Sequence, residues 1–132
     1  MCNMRIHHIA IWTIHLEELK QFYCTCFNGV SNEKYVNAAK GFESYFIHFD
    51  KGASLELMRR TDIIERAEGE LLGYCHLAFS LDSKANVLRL TEQLRKDGYQ
   101  IVGEPRVTGD GYFESVVLDV DGNKVELVSE DF

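Results

Sequence analysis

Proline is almost missing from this chain, one residue in 132, and no stretch is of low complexity, so nothing reads as a repetitive or disordered segment. Basic residues are also few. Lys and Arg total 14 against 21 Asp and Glu, for a net charge of −7, and no basic stripe exists that could track a phosphate backbone. That excludes nucleic acid as an expected partner. No apolar run approaches membrane-spanning length, and the start MCNMRIHHIAIW lacks a charged region followed by a long apolar stretch. The expectation is a soluble, cytoplasmic protein without a membrane partner. The four cysteines, Cys2, Cys24, Cys26 and Cys75, show no CxxC spacing, and Cys24 and Cys26 fall on roughly opposite faces of a predicted helix. They read as reduced, structural thiols. What remains is a composition of 45% hydrophobic and 27% charged residues, as expected of one globular domain over residues 1–132.

The chain repeats itself. RIHHIAI (5–11) resembles YCHLAF (74–79), and GFESYFIHFDKGASLELM (41–58) resembles YFESVVLDVDGNKVELV (112–128). His8 and His76 lie 68 positions apart, the two FES tripeptides 71, and Glu56 and Glu126 70. Each half also has the same order of predicted elements: a strand, an amphipathic helix, then three strands. The strands are expected near 5–13, 31–37, 43–50 and 53–59, then near 74–81, 100–103, 113–120 and 123–129, with Asp121-Gly122 as a hairpin turn. Leu16, Leu19, Tyr23 and Cys26 form the core stripe of the first helix, which stops near Gly29. In the second, Asp82 or Ser83 is the N-cap, Val87, Leu90, Thr91 and Leu94 are the stripe, and Gly98 ends it. The predicted fold class is α+β, two tandem βαβββ modules over about 5–60 and 74–130, joined by a polar connector over about 61–73.

Alternation along the strands assigns faces. Leu55 and Leu57, Val125 and Leu127, and Cys75, Leu77, Phe79 and Leu81 belong to the helix-covered sides. His8, Glu56, His76 and Glu126 therefore point the other way, accompanied by Ala10, Trp12, Met58, Tyr74, Ala78 and Val128. A solvated sheet face is the plain explanation of polar residues there. This face is too apolar for that, and a carboxylate among such neighbours needs a cation. One His and one Glu per half is the pattern a pseudo-two-fold metal site leaves. The repeat also chooses between neighbours, because HHIA aligned with CHLA pairs His8, not His7, with His76. His15 and His48 have no counterparts in the other half and read as surface or locally hydrogen-bonded residues.

HHIAI, SLELM, CHLAFSLD and DVDGNKVELV, in this order around two amphipathic helices, resemble the vicinal oxygen chelate superfamily, which includes glyoxalase I, methylmalonyl-CoA epimerase, extradiol dioxygenases, and fosfomycin and bleomycin resistance proteins. The resemblance covers nearly the whole chain. It implies a cupped mixed sheet around one divalent metal, held by His8, Glu56, His76 and Glu126. The set His, Glu, His and Glu is similar to that of bacterial glyoxalase I, whereas the dioxygenases use three ligands. The resemblance further implies a lyase or isomerase acting through a metal-chelated enediolate on a small α-oxygenated carbonyl or thiol adduct, with Glu126 or Glu56 as the base, and a homodimeric assembly. Mixed N/O ligands suit Zn, Ni, Co, Mn or Fe(II) rather than Ca.

Two positions depart from that pattern. Glyoxalase I enzymes carry an Arg four residues after the first ligand and an Asn four after the second, both holding the γ-glutamyl group of glutathione; here these positions are Trp12 and Arg60. Trp12, Met58, Arg60 and Tyr74 are accordingly the expected substrate-binding residues. The alternatives on the same scaffold are a metal-dependent dioxygenase or thiol transferase, or a non-enzymatic small-molecule binding or resistance protein.

Overall fold

Both halves start with a short strand of alternating pattern, and in the computed structural model, which describes residues 2–130, each such strand pairs in parallel with the last strand of its own half. The first half runs β1 (His8–Trp12), α1 (Leu16–Phe27), β2 (Val30–Ser31), β3 (Tyr35–Asn37), a 3-10 turn (Ala38–Lys40), β4 (Phe42–His48) and β5 (Ser54–Arg60). The second runs β6 (His76–Ser80), α2 (Lys84–Lys96), β7 (Ile101–Val107), β8 (Phe113–Leu118) and β9 (Lys124–Ser129). The chain divides into two compact units between Arg66 and Ala67, inside the predicted connector. Each unit has its own mixed sheet, of order β1-β5-β4-β2 with β3 also on β4, and of order β6-β9-β8-β7. The fold is therefore α+β, built from two modules of the predicted kind.

The differences from expectation have local causes. The predicted strand over 31–37 is split into β2 and β3. Between them Asn32 bonds β4 with its side chain, Oδ1 accepting from the Phe46 N–H at 2.9 Å, which interrupts the regular backbone ladder. At the other end of the chain β7 extends past 103 to Val107 and contains Pro105, which an edge strand tolerates because its missing N–H is not needed there. Cys75, expected on the covered side of β6, precedes the strand and is exposed.

Both helices cover the faces that alternation assigned to them. On α1, Leu16, Leu19, Phe22 and Tyr23 are buried, with Tyr45, Ile47, Leu55 and Leu57 of the adjoining sheet also in the core. Phe22 takes the place expected of Cys26, which is only part-buried. The helix ends at Asn28 in a left-handed conformation, and Gly29 follows because a Cβ there would collide with the Ile47 side chain. On α2, Ser83 is the N-cap, its Oγ accepting from the Asn86 N–H, and Val87, Thr91 and Leu94 are buried with Val117, Val125 and Leu127. The β8–β9 hairpin is tied by Asp119, whose Oδ1 accepts from the N–H groups of Asp121 and Asn123 at 2.9 Å each.

One polar contact lies inside the second core. Thr91 Oγ1 donates to the Val87 carbonyl and sits 2.7 Å from Ser115 Oγ, with both residues fully shielded from water. Thr91→Val keeps the shape but strands the Ser115 hydroxyl, and should cost about 1–3 kcal/mol in urea unfolding. Adding Ser115→Ala should then cost less than its effect alone, a coupling a double-mutant cycle reads directly; strict additivity would show that the two hydroxyls do not support each other.

Candidate metal and substrate site

Three neighbouring strands set the site face of the first module. Residues directly opposite across β1, β5 and β4 form rows: His8 opposite Ser54, then Ala10, Glu56 and Phe46, then Trp12, Met58 and Ser44. Ser44 in turn opposes Tyr35 on β3. His8 is therefore diagonal to Glu56, and its Nε2 lies 3.6 Å from a Glu56 carboxylate oxygen. The His8 side chain is 38% exposed and that of Glu56 20%. The other ring nitrogen of His8, Nδ1, is 2.8 Å from His7 Nδ1, so that hydrogen bond leaves Nε2 as the edge presented to Glu56. His7 thus touches the site through His8, a role the repeat did not reveal.

His48 is exposed and hydrogen-bonded locally, Nδ1 to Ser54 Oγ at 2.8 Å, as read from sequence. Its ring also stacks on Phe46 at 6.3 Å, and Phe46 meets the edge of His8 at 5.3 Å. Both belong to this face. Alternation about Ile47, which is buried under α1, was the signal available for them. At the far end of the face, the Arg60 guanidinium lies over the Trp12 ring at 5.3 Å, and its Nε donates to Asp62 Oδ1 at 2.6 Å. That guanidinium holds the exposed Asp62 carboxyl below its ordinary range.

The second module repeats the diagonal. His76 is opposite Lys124, Ala78 opposite Glu126, and Glu126 opposite Val116 on β8. His76 Nε2 is 3.3 Å from a Glu126 oxygen, with side chains 37% and 19% exposed. Lys124 is turned to Glu70, Nζ to Oε1 at 2.7 Å. Tyr74, expected on this face, precedes β6 and is fully exposed, so strand alternation does not govern its direction.

Pairing also corrects one part of the repeat. Phe46 and Val116 both oppose the site carboxylate of their module and are 70 positions apart, whereas the FES tripeptides are offset by 71. A slip of one residue reverses the face. Glu43 accordingly lies on the helix side, 3.2 Å from Lys34 Nζ, which also holds Glu17 of α1 at 2.8 Å. Glu114 lies on the site face instead. Burial, and then the hydrogen bond and charge of Glu114, push the Glu126 carboxyl up to about 7; Asp110 adds to the rise and Arg106, opposite Glu114 on β7, opposes it. None of Glu114, Arg106 and Asp110 was singled out from sequence.

The four expected ligands therefore stand as two imidazole–carboxylate pairs, one per module, each able to offer one nitrogen and one carboxylate oxygen to a cation. Among the described residues, no group of three or more His, Cys, Asp and Glu side chains is gathered. The donor chemistry of each pair fits a borderline transition ion, and Glu126 is costly to ionise without one. A raised carboxyl pKa means that the folded chain binds a proton that the unfolded chain has lost between pH 4.5 and about 7. This contribution to stability is complete below pH 4.5 and disappears as the pH rises to about 7. In chelator-treated protein, Glu126→Gln should flatten the fall in melting temperature across that window; identical pH profiles for the two proteins would contradict the raised pKa.

The sequence profile of the Glyoxalase/Bleomycin resistance protein/Dioxygenase superfamily matches residues 5–127. The uncharacterized protein YqjT of Bacillus subtilis (strain 168) is 27% identical over 136 residues, covering 94% of this chain and 98% of its own. Glyoxalase I from Zea mays superposes with a TM-score of 0.80 at 23% identity over 97% of this chain, which spans 45% of the maize enzyme. The trypanothione-dependent glyoxalase I of Leishmania major superposes with a TM-score of 0.78 at 22% identity, over 97% of this chain and 88% of that one. These solved structures share the fold, and the profile match over nearly the whole length shows that the chain belongs to the Glyoxalase/Bleomycin resistance protein/Dioxygenase superfamily.

Proposed function

We propose that the protein is a metal-dependent lyase or isomerase of the glyoxalase I type, acting on a small α-oxygenated carbonyl or thiol adduct. The observation that carries this reading is the duplicated diagonal, in which His8 and Glu56, and His76 and Glu126, occupy the same register positions of their modules. His8, Glu56, His76 and Glu126 are proposed as the ligands of one divalent ion, Zn, Ni, Co, Mn or Fe(II), drawn from one chain or from two copies of a homodimer. When bound, such an ion supplies Lewis-acid stabilisation of negative charge on neighbouring oxygens of a substrate.

The chain's own side chains do the rest. Two neutral imidazoles and two carboxylates together balance the charge of a divalent ion. The hydrogen bond between the two Nδ1 atoms, which His8 donates to His7 when its Nε2 is the ligating atom, orients His8 with Nε2 toward Glu56. Glu126 or Glu56 takes the proton from the carbon between the substrate oxygens and returns it to the neighbouring carbon. Ala10 and Ala78, opposite the two carboxylates, are small enough to leave room beside them. Among the described residues, no helix is long and apolar enough to cross a membrane; the location proposed is cytoplasmic. A metal-dependent dioxygenase or thiol transferase would use the same ligands, and consumption of oxygen or of a thiol distinguishes these from an isomerase.

Protein prepared without chelator should contain about one divalent ion per chain. His8→Ala, His76→Ala or Glu126→Ala should abolish it, His15→Ala should leave it intact, and His7→Ala should retain it with affinity lowered about tenfold. Retention in His8→Ala together with loss in His7→Ala would overturn the ligand assignment. The methylglyoxal–glutathione hemithioacetal should be a poor substrate, because Trp12 offers a γ-glutamyl carboxylate no charge. A missing charge-assisted contact costs about 1.5–3 kcal/mol, roughly ten- to a hundredfold in affinity. Efficient turnover that collapses in Arg60→Ala would show that Arg60 performs the missing task.

A further inference from the structure

The end of the first module's site face beyond Glu56 has no part in holding a metal, yet it is built. Along β5, Glu56, Met58 and Arg60 point to one side at two-residue spacing, so each step carries the face about 7 Å further. Met58 lies in a row with Trp12, Ser44 and Tyr35, and Phe42, directly opposite Arg60, meets both Trp12 and Tyr35 edge-on at 6.2 and 6.0 Å. Trp12 and Tyr35 remain exposed at 41% and 54%. Arg60 is held from one side by the Trp12 ring and from the other by Asp62, two residues away in the same chain.

That pair of contacts is unequal. The Asp62 carboxylate is a surface group, 67% exposed, and its ion pair with Arg60 faces solvent, where such pairs contribute little and are easily exchanged. The stacking on Trp12 is anchored in the sheet and survives that exchange. An external carboxylate can therefore replace Asp62 on a guanidinium that is already placed, while the group attached to it lies against Trp12, Phe42, Tyr35 and Met58.

We infer that this aromatic-walled end is a substrate subsite for a flat, aromatic carboxylate, with Arg60 as the residue that binds the carboxylate and Asp62 as its internal competitor. The inference rests on the reading of this face as the substrate site and names the substrate class: a ring with an α-oxygenated group at one end, beside His8 and Glu56, and a carboxylate across the ring from it. Arg60 starts two rows beyond Glu56, but its guanidinium lies over the Trp12 ring, in the row next to Glu56 and ~7 Å from it, close to the span of a para-substituted benzene. A γ-glutamyl group fits less well, because it brings an ammonium next to its carboxylate and hence next to Arg60.

Trp12 is the one tryptophan of the sequence, so its emission reports on this subsite alone. In metal-free protein, benzoate should shift Trp12 emission and bind at least tenfold more tightly than acetate. Arg60→Gln should weaken benzoate at least tenfold, whereas Asp62→Asn should strengthen it several-fold; the opposite sign of the second variant separates a binding role from general damage to the fold. In metal-loaded protein, 4-carboxymandelate should bind at least tenfold more tightly than mandelate, and Arg60→Gln should remove the difference. Benzoate binding in a protein that takes up no metal would support the subsite while sinking the metal reading. Metal uptake with equal affinity for benzoate and acetate, or for the two mandelates, would overturn the subsite and leave the metal reading standing. A Trp12 emission that depends on protein concentration and ignores benzoate would also overturn it, by showing that a second copy of the chain covers the face.

Discussion

Parallel pairing of the first and last strands of each module is the constraint from which the site follows. It places His8 opposite Ser54 and His76 opposite Lys124, and therefore sets each histidine diagonally across an alanine from a glutamate two residues further on. A parallel pair needs a crossover, and here α1 and the intervening strands, or α2 and the intervening strands, supply it. The same crossover brings the apolar face of a helix onto one side of the sheet. Once Leu55, Leu57, Val125 and Leu127 are buried beneath the helices, alternation leaves the histidines and glutamates no choice of side.

The two modules are alike in donors and unlike in surroundings. In the first, aromatic groups dominate: Phe46 beside His8 and Glu56, and Trp12, Phe42 and Tyr35 beyond them, with Arg60 as the cation. In the second, carboxylates crowd together, and Glu114 raises the cost of ionising a Glu126 already disfavoured by burial. Such crowding favours binding a proton or a cation over exposing bare charge.

Much of this was legible in the sequence, and for identifiable reasons. The order of elements, the covered faces and the choice of His8 over His7 as the counterpart of His76 all came from periodicity and repetition, which survive divergence because they are tied to burial. What was missed depends on register. The two FES tripeptides look equivalent but differ by one residue relative to the carboxylates they border, which sends Glu43 to the helix side and Glu114 to the site face. Tyr74 was assigned by alternation beyond the point where the strand begins. Phe46 was passed over, and His48 was read only as a surface or locally hydrogen-bonded residue, because repetition highlights what two halves share and these residues have no like partner in the second. The Arg60–Asp62 pair, short in range, leaves no periodic trace at all.

The central claim is that the two imidazole–carboxylate pairs serve a single ion. X-ray absorption at the edge of the bound metal counts its histidine ligands without reference to activity. The account predicts two imidazoles per ion together with carboxylate oxygens, whereas a single imidazole per ion would mean that each module binds independently and would contradict it.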